Sequence, residues 1–237
     1  MHIKVVIPTY NCSVFIKRTL SSIASQSGDN FSCDVIDDCS DDETYEQAKL
    51  WCKPYDNFNV YRNSERKYAL RNIVEHCNNK LLEDDMIICL LDGDDYLINN
   101  NSLQLISDTY QRENCDVLWS NYETNFSPAS GFSNYVPSGV DVYKFPWSSS
   151  HMKTFKVSAL KNIDWINFKN KEGEWFKRCY DQAIMLPLMH STQNWYFLNE
   201  KLYHYHVDPE TTFQSIELQA YIENFIRTRG YVDNANV

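Results

Sequence analysis

Two periodicities alternate along the first half of the chain. Residues 3–7 (IKVVI) are a β-branched run closed by Pro8, the pattern of a strand. Ser13 is placed to cap a helix, and Ile16, Leu20, Ile23 and Ala24 follow at helical spacing. Residues 33–37 (CDVID) predict a second strand, and Asp41 or Asp42 caps a helix reaching about Trp51. Residues 58–62 predict a third strand. Leu70, Ile73, Val74 and Cys77 then fall at i, i+3, i+4 and i+7, one stripe of a helix. Residues 86–91 (MIICLL) are apolar without a break, as in a parallel strand covered on both faces. A helix over 102–113 and a strand over 115–119 complete the half.

Strands alternating with helices imply βαβ units and a mainly parallel central sheet flanked by helices, an α/β fold. Right-handed crossovers gather the strand C-termini on one edge, where α/β ligands bind. Three stretches fall there: Pro8-Thr9-Tyr10-Asn11, Asp37-Asp38 and Asp92-Gly93-Asp94-Asp95.

The second half is less regular. Residues 124–150 carry Pro128, Gly131, Pro137, Gly139 and Pro146 among polar residues and predict a long loop. After residues 151–163 and a polar loop with Trp165 and Trp175 comes a helix near 180–190, interrupted at Pro187. Short strands are expected at 195–198 and 201–206, and a tail helix at about 215–229, stopped by Gly230.

Composition sharpens this picture. Of 237 residues only 6 are glycine, where average usage predicts roughly 17. They are too dispersed for a P-loop or a GxGxxG loop, so phosphate would have to be held another way. The net charge of −10 and the lack of a basic block argue against nucleic acid and anionic membranes. No apolar run approaches the roughly 18 residues of a membrane span. The eight cysteines form no CxxC pair, and the N-terminus does not read as a signal peptide. Reduced thiols and a cytoplasmic location are expected.

DGDD at 92–95 is the strongest chemical signal. Three carboxylates in one tight turn repel one another unless a cation or capped amides neutralise them. Hard oxygen ligands suit Mg²⁺ or Mn²⁺, which pair one or two carboxylates with phosphate oxygens. The metal would then replace glycine amides as the phosphate handle, with Asp94 the direct ligand and Asp92 beside it; the competing reading is an acidic helix cap. Asp41, Asp42 and Glu43 suit a helix N-terminus. Asp38 differs, since a carboxylate at a strand end can accept an N–H from a flat heterocycle, and Tyr10 next to it can stack on that ring. Lys67 and Arg71 flank one helical stripe, either in reach of a nucleotide cleft or on a solvated edge.

VVIPTYN, SSIASQ, VIDDCSDDET, ALRN and LLDGDDYL, in that order and spacing, resemble the inverting family 2 glycosyltransferases of GT-A fold. The resemblance is tight over residues 2–120 and looser over 145–210. It implies a hexosyl- or N-acetylhexosaminyl-transferase of the kind used in polysaccharide biosynthesis. Its donor would be a nucleotide-diphospho-sugar, a UDP-sugar being favoured, and its acceptor a glycan or other hydroxyl. Pro8, Thr9, Tyr10, Asn11, Asp38, Lys67, Arg71, Asp92 and Gly93 would bind the donor, and Asp92 and Asp94 with Mn²⁺ or Mg²⁺ its diphosphate. The chain departs from the family at Cys39 and Glu43, where glycine is usual.

The family's catalytic base is an acid opening a helix, which matches Asp181 in CYDQAIMLPLM, although the acid usual before it is here Tyr180. The segment 146–156 is similar to the acceptor-holding stretch, implying Trp147 and His151, though a tryptophan is as often core. The segment 202–212 is similar to the part closing over the diphosphate, where His204 or His206 would reach phosphate or metal; His206 is taken as the third metal ligand. One domain is expected: 1–97 for the donor, 98–210 for the acceptor, and 211–237 a helical tail. A non-catalytic nucleotide- or carbohydrate-binding module on the same fold is the alternative. Oligomeric state stays open.

Overall fold

The computed structural model describes residues 1–126, 131, 133–208 and 216–233. Among the described residues eight strands form one sheet: β1 (Ile3–Thr9), β2 (Phe31–Asp37), β3 (Phe58–Arg62), β4 (Ile87–Leu90), β5 (Tyr96–Leu97), β6 (Val117–Thr124), β7 (Lys153–Lys156) and β8 (Trp195–Tyr205). Their order is β3-β2-β1-β4-β7-β6-β8-β5. The β3-β2-β1-β4 half is wholly parallel, as the βαβ pattern requires. Beyond it β7 runs antiparallel to both β4 and β6, β8 is parallel to β6, and β5 is antiparallel to β8.

Alternating side chains divide the core between the two faces of the sheet. Val5, Ile7, Cys33, Val35, Ile87 and Cys89 pack with α1 (Ile16–Ala24), α2 (Thr44–Cys52) and α4 (Ser102–Glu113). Val6, Ile36, Ile88, Leu90 and Trp119 face the other layer. That layer holds α3 (Tyr68–Cys77), α5 (Val157–Lys161), α6 (Tyr180–Thr192) and α7 (Ile216–Arg229), with a 3₁₀ turn at Trp165–Phe168. The expected stripe of α3 is buried in full: Leu70, Ile73, Val74 and Cys77 are each at most 1% exposed. All eight cysteines are free thiols.

Several local expectations need correction. Ser13 does not cap α1 with its side chain; its N–H instead donates to Asp42 Oδ2 at 3.0 Å, while Asp42 Oδ1 accepts the Thr44 N–H at 2.9 Å. One carboxylate thus ties the starts of two helices together. Pro187 does not interrupt α6, which is buried from Gln182 through Met189. Packing on all sides offsets the roughly 3 kcal/mol that an internal proline costs. The two short strands expected near 200 are one strand, β8, whose register against β6 slips around Asn121. Of the long loop, residues 127–130 and 132 lie outside the described residues, but the rest is anchored. Trp119 Nε1 donates to the Asn134 carbonyl and Trp195 Nε1 to that of Val136. In the tail, 209–215 and 234–237 lie outside the described residues.

Candidate active site

A cleft of about 310 Å³ opens at the C-terminal edge of the parallel strands. Tyr10 reaches it from the end of β1, Asp38 from β2, Asp92 from β4 and Asp181 from the start of α6. Pro8, Thr9 and His151 line it as well. These seven sites, read from separate motifs, meet in one cavity because the sheet brings the strand ends together.

The acidic turn is tightly built. Gly93 faces the end of β1 so closely that a Cβ there would stand 2.8 Å from Thr9 Cβ, so only glycine fits. Asp92 accepts the Tyr180 hydroxyl, which lies 2.6 Å from both carboxylate oxygens. Asp95, fully buried, accepts the Tyr203 hydroxyl at 2.5 Å and the His206 N–H at 2.7 Å. Burial, then the charges of Asp94 and Asp92, push its carboxyl well above the usual range. Burial and the Asp92 charge likewise raise Asp94 to about 6. Arg18 braces the turn, donating to the Asp94 carbonyl at 2.8 Å while its guanidinium lies 4.6 Å from the centre of the Tyr96 ring.

Such crowded carboxylates fit a hard cation by donor chemistry. Asp92, Asp94 and His206 do not form a single cluster among the described residues. The acids and histidines that do lie within 4.8 Å of one another are Asp92, Asp95 and His151. The His151 ring is stacked against Tyr203 and Tyr205, with centroids 4.7 Å away in each case. Its Nδ1 lies 3.0 Å from the ammonium of Lys153, which is completely buried. Burial and that ammonium hold His151 far below its ordinary pKa, so the ring is neutral. Lysine only donates, hence Nδ1 accepts and the ring proton sits on Nε2. The ring then has no lone pair left for a metal, and the acid turn itself is the better donor set.

Asp38 is 3% exposed and already occupied. Oδ1 accepts the Lys67 N–H and the Asn63 side-chain amide, and Oδ2 accepts the Tyr68 N–H, all at 2.8 Å. This clasp anchors the start of α3, where Tyr68 holds a left-handed φ of 65°. Lys67 and Arg71 do not line the cleft; both pair with Glu75, at 2.8 and 2.7 Å. Asn11 and Gly93 sit in the turns beside it, Asn11 accepting the Asp41 N–H through Oδ1. Trp147 packs against the core beneath α6, away from the cleft. His204 stacks on Tyr96 with centroids 4.3 Å apart.

The basic residues that do line the cleft are Arg66, Lys177 and Arg178, none of which the sequence singled out. Lys153 was missed too, since a lysine in a strand reads as solvated. Cys39, where glycine is usual in the family, has φ 63°, so the turn keeps the glycine-favouring backbone with a cysteine in it.

The mixed α/β sheet with an acid-lined cleft at its strand ends has the GT-A architecture, and the comparisons agree. The sequence model of glycosyl transferase family 2 matches residues 4–161, two thirds of the chain. The chain belongs to that family. It is 28% identical over 127 residues to an uncharacterized glycosyltransferase of Mycoplasma genitalium, spanning 52% of this chain and 41% of that protein. The structure of S. aureus TarS superposes over 100% of this chain and 41% of its own, with a TM-score of 0.70 at 20% identity. TarS residues 1–349 with UDP-GlcNAc give 0.63, also at 20% identity, over 100% of this chain and 69% of that one. A mannosyltransferase of Pyrobaculum calidifontis with GDP-Man and Mn²⁺ gives 0.60 at 13% identity, over 88% and 57%. The chain thus spans about two fifths of the first relatives it matches. Among the described residues, no helix is long and apolar enough to cross a membrane.

Proposed function

We propose that this chain transfers a sugar from a nucleotide-diphospho-sugar, with UDP favoured, to an acceptor hydroxyl with inversion at the anomeric carbon. One observation carries the reading: Tyr10, Asp38, Asp92 and Asp181, from four elements far apart in sequence, line one cleft at the strand ends. The fold shared with structures holding UDP-GlcNAc and GDP-Man with Mn²⁺ supports it.

In this reading Tyr10 and Asp38 bound the nucleobase end and residues 1–97 form the donor half. Asp92 and Asp94 would hold Mn²⁺ or Mg²⁺, with residue 206 kept beside the turn by Asp95. When bound, the cation supplies positive charge that stabilises the departing nucleoside diphosphate. Tyr180 and Tyr203 donate to the acid turn and fix its carboxylates. Asp181 opens α6 at the cleft wall and takes the proton of the acceptor hydroxyl as it attacks the face opposite the leaving group. His151, neutral and stacked, forms part of the cleft wall on the side of residues 98–210.

The test is a thermal-shift screen of UDP-, GDP- and TDP-sugars with and without Mn²⁺, followed by assay of nucleoside diphosphate release. A Mn²⁺-dependent rise in Tm with one donor, together with release, is expected. Binding without turnover on any acceptor would favour the non-catalytic module, and no shift with any donor would overturn the reading.

A further inference from the structure

Tyr10 does not present an open ring to the cleft. The guanidinium of Arg66 lies on it, with Cζ 3.5 Å from the ring centroid and 4.7 Å from the centroid of Tyr68. Arg66 Nε is 4.0 Å from Asp38 Oδ2. A planar, N–H-bearing group therefore stacks on the tyrosine and turns a nitrogen towards the aspartate. Those are the two contacts that the donor reading assigns to a nucleobase. On the same wall, Asn72 is 3% exposed and its Nδ2 has no hydrogen-bond partner. A buried amide left unpaired is costly, and a base carbonyl is an acceptor of the kind it lacks.

We infer that Arg66 is a built-in occupant of the nucleobase subsite, which the incoming base must displace from Tyr10. The inference rests on the donor reading above. Its backbone cannot follow the side chain, because Asp38 grips the N–H groups of Lys67 and Tyr68 on its C-terminal side. The side chain is 41% exposed, so it can turn out to solvent without disturbing the core. Binding the base exchanges one stack on Tyr10 for another, so Arg66 lowers affinity for the base while its charge stays close to the cleft for a diphosphate. Selectivity follows: a nucleoside alone meets only the competitor, whereas a nucleoside diphosphate also gains a nearby cation.

The experiment measures binding of uridine and of UDP with Mn²⁺ to the wild-type chain, Arg66→Ala and Arg66→Lys by calorimetry. Removing an exposed cation–π contact of the usual strength should tighten uridine by about two- to fivefold in Arg66→Ala. Arg66→Lys, which keeps the charge but not the flat stack, should fall between. UDP should gain less than uridine in Arg66→Ala, or lose affinity. Wild-type binding of UDP with unchanged or weaker uridine binding in Arg66→Ala would overturn the inference alone. A wild-type chain that binds no UDP would overturn the donor reading and this inference with it.

Discussion

The Tyr180 hydroxyl bridges both carboxylate oxygens of Asp92 at 2.6 Å, joining the first residue of α6 to the acid turn after β4. Asp181 follows at the next position, so this hydrogen bond ties the acid assigned to the metal to the helix that carries the acid assigned as base. The ammonium of Lys153 supports the ring from 4.6 Å. Hydrogen bonds to charged groups contribute about 1.5–3 kcal/mol. Tyr180→Phe should therefore keep the fold by circular dichroism and lose roughly 10- to 100-fold in kcat/KM. An unchanged value would mean that the bond does not position Asp92.

Asp181→Asn should bind the nucleotide sugar as the wild type does and lose about 10²- to 10⁴-fold in kcat, the span expected for a general base. Isothermal binding and product release separate the two effects. A retained rate would remove Asp181 from the role.

Asp94→Ala should abolish the Mn²⁺ dependence of UDP binding, whereas Asp95→Asn, which keeps its contacts with Tyr203 and the His206 N–H within reach, should leave much of it. Comparing UDP affinity with Mn²⁺ and with EDTA decides the matter. Equal Mn²⁺ enhancement in wild type and Asp94→Ala would exclude Asp94 as a ligand.

Asp34 provides a pH-dependent element of stability remote from the cleft. Burial by itself would raise its pKa, but hydrogen bonds from His76, Lys4 and Asn59 outweigh that and hold it at about 2. The folded value is below that of the unfolded chain, so the stabilisation is complete above about pH 5 and lost as pH falls towards 2. A shift of this size is worth about 2 kcal/mol. In urea titrations Asp34→Asn should be destabilised by about that amount at pH 7 and converge on the wild type as pH approaches 2. A gap that stays constant with pH would contradict it.

Cys39 occupies a left-handed turn conformation at φ 63°, which costs an L-residue about 1–2 kcal/mol, partly offset by the extra freedom of glycine in the unfolded chain. Cys39→Gly should therefore raise stability, by up to about 1 kcal/mol. A lower denaturation midpoint would show that the thiol, which lies 3.9 Å from the Ser64 carbonyl, is worth more than the strain.

By itself the sequence determined the βαβ frame, the buried faces of α1 and α3 and the strand ends at which Tyr10, Asp38 and Asp92 emerge. Those features follow from local periodicity, which short-range sterics and apolar burial convert directly into elements. It also marked Asp181, because an acid opening an apolar helix is a local pattern. Contacts between distant residues were settled only by the tertiary structure. Lys67 and Arg71 have the right charge and spacing, yet Glu75 on their own helix claims them. Arg66, Lys177 and Arg178, from segments more than 100 residues apart, supply the cleft's basic lining instead. Lys153 is buried because β7 runs in the middle of the sheet between β4 and β6, which no single-strand pattern reveals. Asp95 seemed one acid among several until β8 brought Tyr203 and residue 206 against it. Periodicity states which face a residue takes, while the partner waiting on that face is fixed by strand order.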